Sequence, residues 1–341
     1  MKEQKKVIID DVAKKAQVSK STVSRYLNGK FEFMSEKTRN RIQNVISQLN
    51  YRPSNTARTL KLKRSSLIGV VMVDLTNPFS SILIKGIGDE CRKHDYNIII
   101  TNSDNDNIKE KQDIMSLMDQ NIDGLIMNGT GYNEEFLIKI QESGVPVIML
   151  DSMINSKFFD CVTSNNFEMT FNVTNYMIDQ GFSNLAMFTP DIGKISARRD
   201  RKQAFVEACT NRLDPKNFNV YTCDNVNSEG IRHDLMDFVE NYSGSKVAFA
   251  INGVTLLNLL QVINDADLKI PCDLGVYGYD DWGWASLISP GITTISQPTY
   301  DMGAESAKVL LEKLNSSFSK TSCIYLKSKL KIRGSTSLNK K

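Results

Sequence analysis

The sequence predicts a small all-α helix-turn-helix head joined to a larger α/β body of two doubly wound parallel-sheet lobes. Three observations carry this expectation. Residues 1–66 hold sixteen Lys and Arg against five Asp and Glu, a net +11, whereas the whole chain is +3 and residues 67–341 are therefore −8. Inside the basic segment, apolar residues recur at helical spacing in three short blocks. From Leu67 onward, short apolar strands alternate with amphipathic helices, the pattern of repeated βαβ units. With 341 residues, 41% of them hydrophobic and 24% charged, the chain has the composition of a globular protein with room for two or three domains.

In the head, Asp10–Ala16 reads as a first helix, with Ile9, Val12, Ala13 and Ala16 on one face and Asp10 and Asp11 at its positive end. Gln17-Val18 makes a tight turn. Ser19 is a suitable N-cap for a second helix reaching Leu27, whose inner face is Val23 and Leu27. Ser35 caps a third, carrying Ile42, Val45, Ile46 and Leu49. A short turn between the first two helices, with a third closing the core, fits a helix-turn-helix.

The second helix turns Lys20, Ser21, Ser24 and Arg25 outward. An arginine fork matches the O6/N7 pair of guanine, and the start of such a helix enters the major groove. Thr22, Ser24 and Asn28 suit phosphate contacts, which fix register without reading sequence. A solvated basic tail would also be positive, but it would lack this apolar period. The expected partner of the head is therefore double-stranded DNA.

In the body, strands are expected at Leu67–Val73, Tyr96–Asn102, Gly124–Met127, Val147–Leu150, Leu185–Phe188, Val220–Thr222, Val247–Ala250 and Gly275–Tyr279, with helices between them. Ligands of such folds bind beyond the carboxyl ends of the strands. The residues there are polar: Asp74, Asn77, Asn102, Asp151, Asn252, Asp280 and Asp281, with Phe79, Trp282 and Trp284 available to stack on a sugar face, and Arg199 and Arg201 on a nearby helix.

Several function classes find no support. The six cysteines lie far apart without a Cys-x-x-Cys pair, so reduced buried thiols are expected rather than a metal or redox motif. The two histidines, His94 and His233, sit in charged helical contexts. Gly86-Ile87-Gly88 lies within an amphipathic helix and lacks a third glycine, and Gly129-Thr130-Gly131 has no following Lys-Ser/Thr. No catalytic site, metal or cofactor is expected. No apolar run is long enough to span a bilayer and the start resembles no export signal, so a cytoplasmic location without a membrane partner is expected.

The run Asp11-Val12-Ala13-Lys14-Lys15-Ala16-Gln17-Val18-Ser19-Lys20-Ser21-Thr22-Val23-Ser24-Arg25-Tyr26-Leu27-Asn28-Gly29, with Ser35-Glu36-Lys37-Thr38-Arg39 and Leu49-Asn50-Tyr51-Arg52-Pro53, resembles the signature of the LacI (lactose/purine repressor) family. A weaker resemblance points to repressors of ketodeoxygluconate-type sugar-acid regulons. The resemblance covers nearly the whole chain. It implies a periplasmic-binding-protein-like body, a sugar or sugar-acid effector between the lobes, and repression of carbohydrate catabolism genes by a homodimer on a pseudo-palindromic operator.

The resemblance also implies site residues. Ser19, Lys20, Ser21, Thr22, Ser24, Arg25, Asn28 and Tyr51 would face DNA. Residues 54–66 would form a hinge that folds on the operator, with Leu60 as a minor-groove wedge and Ala57 allowing close approach. Asn77, Phe79, Asp151, Arg201, Asn252 and Asp280 would contact the effector. Gln17 and Ala204 stand where the family mostly has Gly, and Gly253 where it has Asp. The implied organisation is a head at 1–53, the hinge at 54–66, a first lobe at 67–163 with 297–321, and a second at 164–296 with 322–341. The competing reading is an exported sugar receptor of the same two-lobed fold, which the DNA-reading head argues against.

Overall fold

The computed structural model describes residues 7–51, 64–154, 157–223, 228–315 and 321–338. The chain divides into two compact units, Met1–Ser66 and Leu67–Lys341.

The head is three helices: α1 (Ile9–Ala16), α2 (Lys20–Leu27) and α3 (Glu36–Leu49). The N–H of Ile8 donates to Asp11 Oδ2 at 2.9 Å, closing the start of α1. Gln17 ends α1 in the left-handed region, φ 50, which is why a glycine suits that position. Ser19 and Ser35 cap α2 and α3, their hydroxyls accepting from the N–H groups of Thr22 and Thr38 at 3.2 and 3.3 Å. Val12, Ala13, Ala16, Val23, Ile42 and Val45 form the buried centre. The expected hinge, with Ala57 and Leu60, lies outside the described residues.

The body begins with β1 (Leu67–Met72), α4 (Pro78–Lys93), β2 (Asn97–Asn102), α5 (Asn107–Asp119), β3 (Gly124–Asn128), α6 (Glu134–Glu142), β4 (Val147–Leu150) and β5 (Asp160–Ser164). The second lobe follows with α7 (Asn166–Asp179), β6 (Asn184–Thr189), α8 (Ser196–Thr210), β7 (Phe218–Thr222), α9 (Ser228–Asn241), β8 (Lys246–Ala250), α10 (Gly253–Asp265), β9 (Gly275–Tyr279) and β10 (Thr293–Ser296). The chain then returns through α11 (Thr299–Asn315) and β11 (Cys323–Leu326) before ending with β12 (Lys329–Lys331).

Two six-stranded sheets result, ordered β11-β5-β4-β3-β1-β2 and β12-β10-β9-β8-β6-β7. All pairings are parallel except that of β10 with β12. The inner strands β3, β4, β6 and β9 are buried throughout, as expected for parallel strands covered on both faces.

The polypeptide passes between lobes three times: after β5, after β10 and after β11. These passages lie side by side. Ser164 Oγ donates to Gln297 Oε1 at 2.7 Å, and the N–H of Ser328 donates to Asn165 Oδ1 at 2.8 Å. The last passage falls later than the sequence suggested. Cys323–Leu326 pairs in register with β5, and Ile324 and Leu326 pack on the first-lobe core, so this stretch belongs to the first lobe rather than to the segment 322–341 of the second.

Candidate functional site

On α2, Lys20, Ser21 and Arg25 are exposed, while Thr22 and Ser24 are half-buried. Ser21 and Arg25 lie one helical turn apart and share a stripe. The Ser19 hydroxyl links to those of Ser21 and Thr22 at 2.7 and 2.8 Å, so three small polar groups are mutually oriented at the helix start. Lys20 pairs with Asp10 at 2.6 Å. Such an exposed pair is worth little. Asn28 donates to the carbonyl of Ser24 at 2.6 Å, stapling the helix end. Tyr51 is half-buried against the head core, and burial raises its pKa.

In the body, strand ends and crossovers assemble a buried polar cluster. Arg201 on α8 is 3% exposed. Its Nε donates to Asn166 Oδ1 at 2.7 Å, Nη1 to the Ile251 carbonyl at 2.9 Å and Nη2 to Gln297 Oε1 at 3.0 Å. The guanidinium carbon also stacks 3.6 Å above the Tyr279 ring. Gln297 donates to Asp280 Oδ1 at 2.7 Å, and the Gly253 N–H donates to Asp280 Oδ2 at 3.0 Å.

Asp151 and Asp280 follow β4 and β9 directly, in the left-handed region at φ 56 and 72, a conformation concentrated at functional sites. Burial raises both carboxyl pKa values, that of Asp151 to about 6, although Arg201 pulls each the other way.

The other expected effector residues have structural duties as well. Asn77 caps α4, accepting from the Phe79 N–H at 3.0 Å, and Phe79 packs into the first-lobe core. Asn252 caps α10 through the Thr255 N–H at 2.8 Å. The residue after it is Gly253 for a steric reason: a Cβ there would lie 2.3 Å from the Trp282 ring. Trp282 thus fills the space that an aspartate side chain would need.

A cavity of about 520 Å³ opens between the lobes, with Asn105, Thr130 and Tyr132 on one wall and Asp191, Lys194 and Arg198 on the other; none of the six expected effector residues lines it, and Arg198, which interacts electrostatically with Arg201 and Asp151, connects it to the cluster. The arginine at its edge is Arg198 rather than the expected Arg199, which is exposed. Arg198 lies three residues before Arg201, and that i,i+3 spacing is the signal that would have found it. Gln297 and Asn166, which bind Arg201, were missed because β5 and β10, which lead into them, were not recognised. Of the six cysteines, Cys272 is exposed and Cys323 half-buried, contrary to the expectation of uniform burial; the other four are buried.

Comparison with known proteins agrees with this architecture. Residues 8–54 match the family of bacterial regulatory proteins of the lacI type, and residues 68–317 match a periplasmic binding protein domain. The chain is 35% identical to the HTH-type transcriptional regulator KdgR of Bacillus subtilis, over 96% of this chain and 97% of that one. It is 30% identical to the HTH-type transcriptional regulator PtxS of Pseudomonas putida, over 97% of this chain and 96% of the relative. Its fold superposes on that of a lac repressor dimer bound to operator and the anti-inducer ONPF with a TM-score of 0.83, at 23% identity, covering 97% of this chain and 99% of that one. With a helix-turn-helix head, a two-lobed body and relatives that are transcription regulators rather than enzymes, the chain belongs to the LacI family of DNA-binding transcription regulators.

Proposed function

We propose that this protein is a cytoplasmic repressor of carbohydrate catabolism genes that binds a pseudo-palindromic operator as a homodimer and answers to a sugar or sugar acid held between its lobes. The observation that carries the reading is the buried Arg201–Gln297–Asp280 network beside an interlobe cavity. Carboxylates and amides are the groups that bind sugar hydroxyls, and Asn77, Phe79, Asp151, Arg201, Asn252 and Asp280 are assigned to the effector.

A sugar acid has specific support. Arg201 already spends its donors on protein acceptors. Arg198, which gives one donor to the Asp191 carbonyl at 3.1 Å, and Lys194, which lies over the Tyr132 ring, border open space, and Arg198 occupies the first turn of α8, where a cation opposes the helix dipole. An anion in the cavity offsets that opposition. In the head, Lys20, Ser21 and Arg25 read bases. Ser19, Thr22, Ser24, Asn28 and Tyr51 hold the backbone, and Leu60 with Ala57 engages the minor groove.

One helix-turn-helix buries too little surface for operator-grade specificity, which is the reason for two heads. The test is a gel-shift titration on an operator fragment across salt concentrations. A steep negative log–log slope and a Leu60→Ala loss confined to specific binding are expected. A slope near zero, or equal losses on specific and random DNA, overturns the reading.

A further inference from the structure

Two cysteines far apart in the chain, Cys161 and Cys323, are directly opposed partners in the parallel pair β5–β11. Neighbouring strands lie about 4.8 Å apart, inside the roughly 4.4–6.8 Å Cα separation of disulfides, and directly opposed residues point to the same face. Met153 adds a third sulfur, its Sδ accepting from Cys323 Sγ at 3.6 Å.

The two thiols differ in access. Cys161 is 1% exposed, whereas Cys323 is half-buried on the edge strand of the sheet. The interaction of the two adjacent thiols raises the Cys161 pKa, burial adding to the effect, and lowers that of Cys323 to about 7. The accessible sulfur is thus the one that ionises near neutral pH, and the thiolate is the nucleophile of thiol–disulfide exchange.

We propose that Cys161 and Cys323 form a reversible disulfide site that senses thiol oxidants and ties together the two strands leading into the first and last interlobe passages. The Cys323 thiolate attacks one sulfur of a small-molecule disulfide, expelling the other as a thiolate. Cys161, losing its proton, then attacks Cys323 Sγ and releases the second thiolate. Two protein thiols are oxidised to one disulfide and one low-molecular-weight disulfide is reduced to two thiols. In a reducing compartment a bond of this kind is transient and regulatory rather than structural. Ser164 and Leu326 end the two strands, and Asn165 N–H already donates to the Leu326 carbonyl at 3.1 Å. A covalent link three residues upstream in each strand therefore restrains both passages at once.

The experiment incubates the folded full chain with glutathione disulfide, blocks free thiols with iodoacetamide and maps peptides by mass spectrometry without reduction. A linked Cys161–Cys323 peptide is expected, reverting on addition of dithiothreitol. Cys323→Ser should leave position 161 unmodified, and Cys161→Ser should leave Cys323 carrying glutathione. The oxidised wild type should melt several degrees higher than its reduced form, because the link closes a long loop. Glutathione retained on Cys323 of the wild type beside a free Cys161, a link elsewhere, or two alkylated thiols after oxidation each overturns the proposal. Circular dichroism of each serine variant shows whether it folds. The wild-type peptide map decides the matter even where a variant does not.

Discussion

At the scale of single residues, the cleft is governed by how few of its charges are hydrated. Asp151 is buried and, among the described residues, receives only a long 3.5 Å side-chain hydrogen bond from Thr163 Oγ1, so burial outweighs the pull of Arg201 and its pKa rises to about 6. An unfolded aspartate titrates near 3.9. Between about pH 4 and 6 the folded chain thus holds a proton that the unfolded chain has released. This group's contribution to stability therefore grows as pH falls through 6 and is lost as pH rises above it. Asp151→Asn removes the titration. The gain in melting temperature from pH 7 to pH 5 should be smaller in the variant than in the wild type, and equal gains would show that Asp151 stays ionised. Such detail is only partly legible in a sequence. Asp151, Arg201 and Asp280 were identifiable from their positions at strand ends and on the following helix. Which of three neighbouring arginines faces the cavity depends on helix phase, and only the fold sets that.

At the scale of elements, one helix pairing shows what two nearby glycines do. A Cβ on Gly86 of α4 would lie 2.1 Å from the Tyr300 carbonyl oxygen, and one on Gly303 of α11 would lie 2.1 Å from that of Leu83, so the two backbones touch through glycine on both sides. At Gly88 the nearest atom is the flexible Ile98 Cδ1 at 3.4 Å. Gly86→Ala forces backbone apart and should cost about 2–3 kcal/mol, lowering the body's melting temperature by roughly 5–10 °C. Gly88→Ala should be neutral or stabilising by up to about 1 kcal/mol, since alanine favours the helix. Equal effects in a thermal melt would refute the close crossing.

Of the pair in Gly86-Ile87-Gly88, only the first glycine is thus a packing device. Strands rich in Val, Ile and Leu were legible because burial on both faces demands apolar runs. Asp160–Ser164, Thr293–Ser296 and Cys323–Leu326 were not, because their polar residues are satisfied by partners distant in sequence: Asp160 by the N–H of Ser322 at 2.8 Å, and Thr293 by Thr336 at 2.7 Å. Those strands are also the ones that lead between the lobes, which is why the crossovers were the least readable part of the fold.

At the scale of the whole molecule, a regulator has to make an event between its lobes change affinity for DNA. Coupling of this kind is reciprocal: if effector changes operator affinity by some factor, operator changes effector affinity by the same factor. The chain's only two tryptophans, Trp282 and Trp284, stand just beyond Asp280, with Trp282 against Gly253 and its ring edge-on to that of Trp284 at 6.4 Å. Their emission reports on the network without added label. For the sugar or sugar acid that gives the largest thermal shift, the fluorescence-derived dissociation constant should change about 5- to 150-fold when saturating operator is present, the span of typical coupling energies of 1–3 kcal/mol. A dissociation constant above that of free protein would mark the compound as an inducer, and one below it as a co-repressor. Random DNA of equal length should leave the constant nearly unchanged, because sequence-independent phosphate contacts are made alike by either state of the body. A constant that ignores operator as well as random DNA would separate the cleft from the head and remove the basis for effector control.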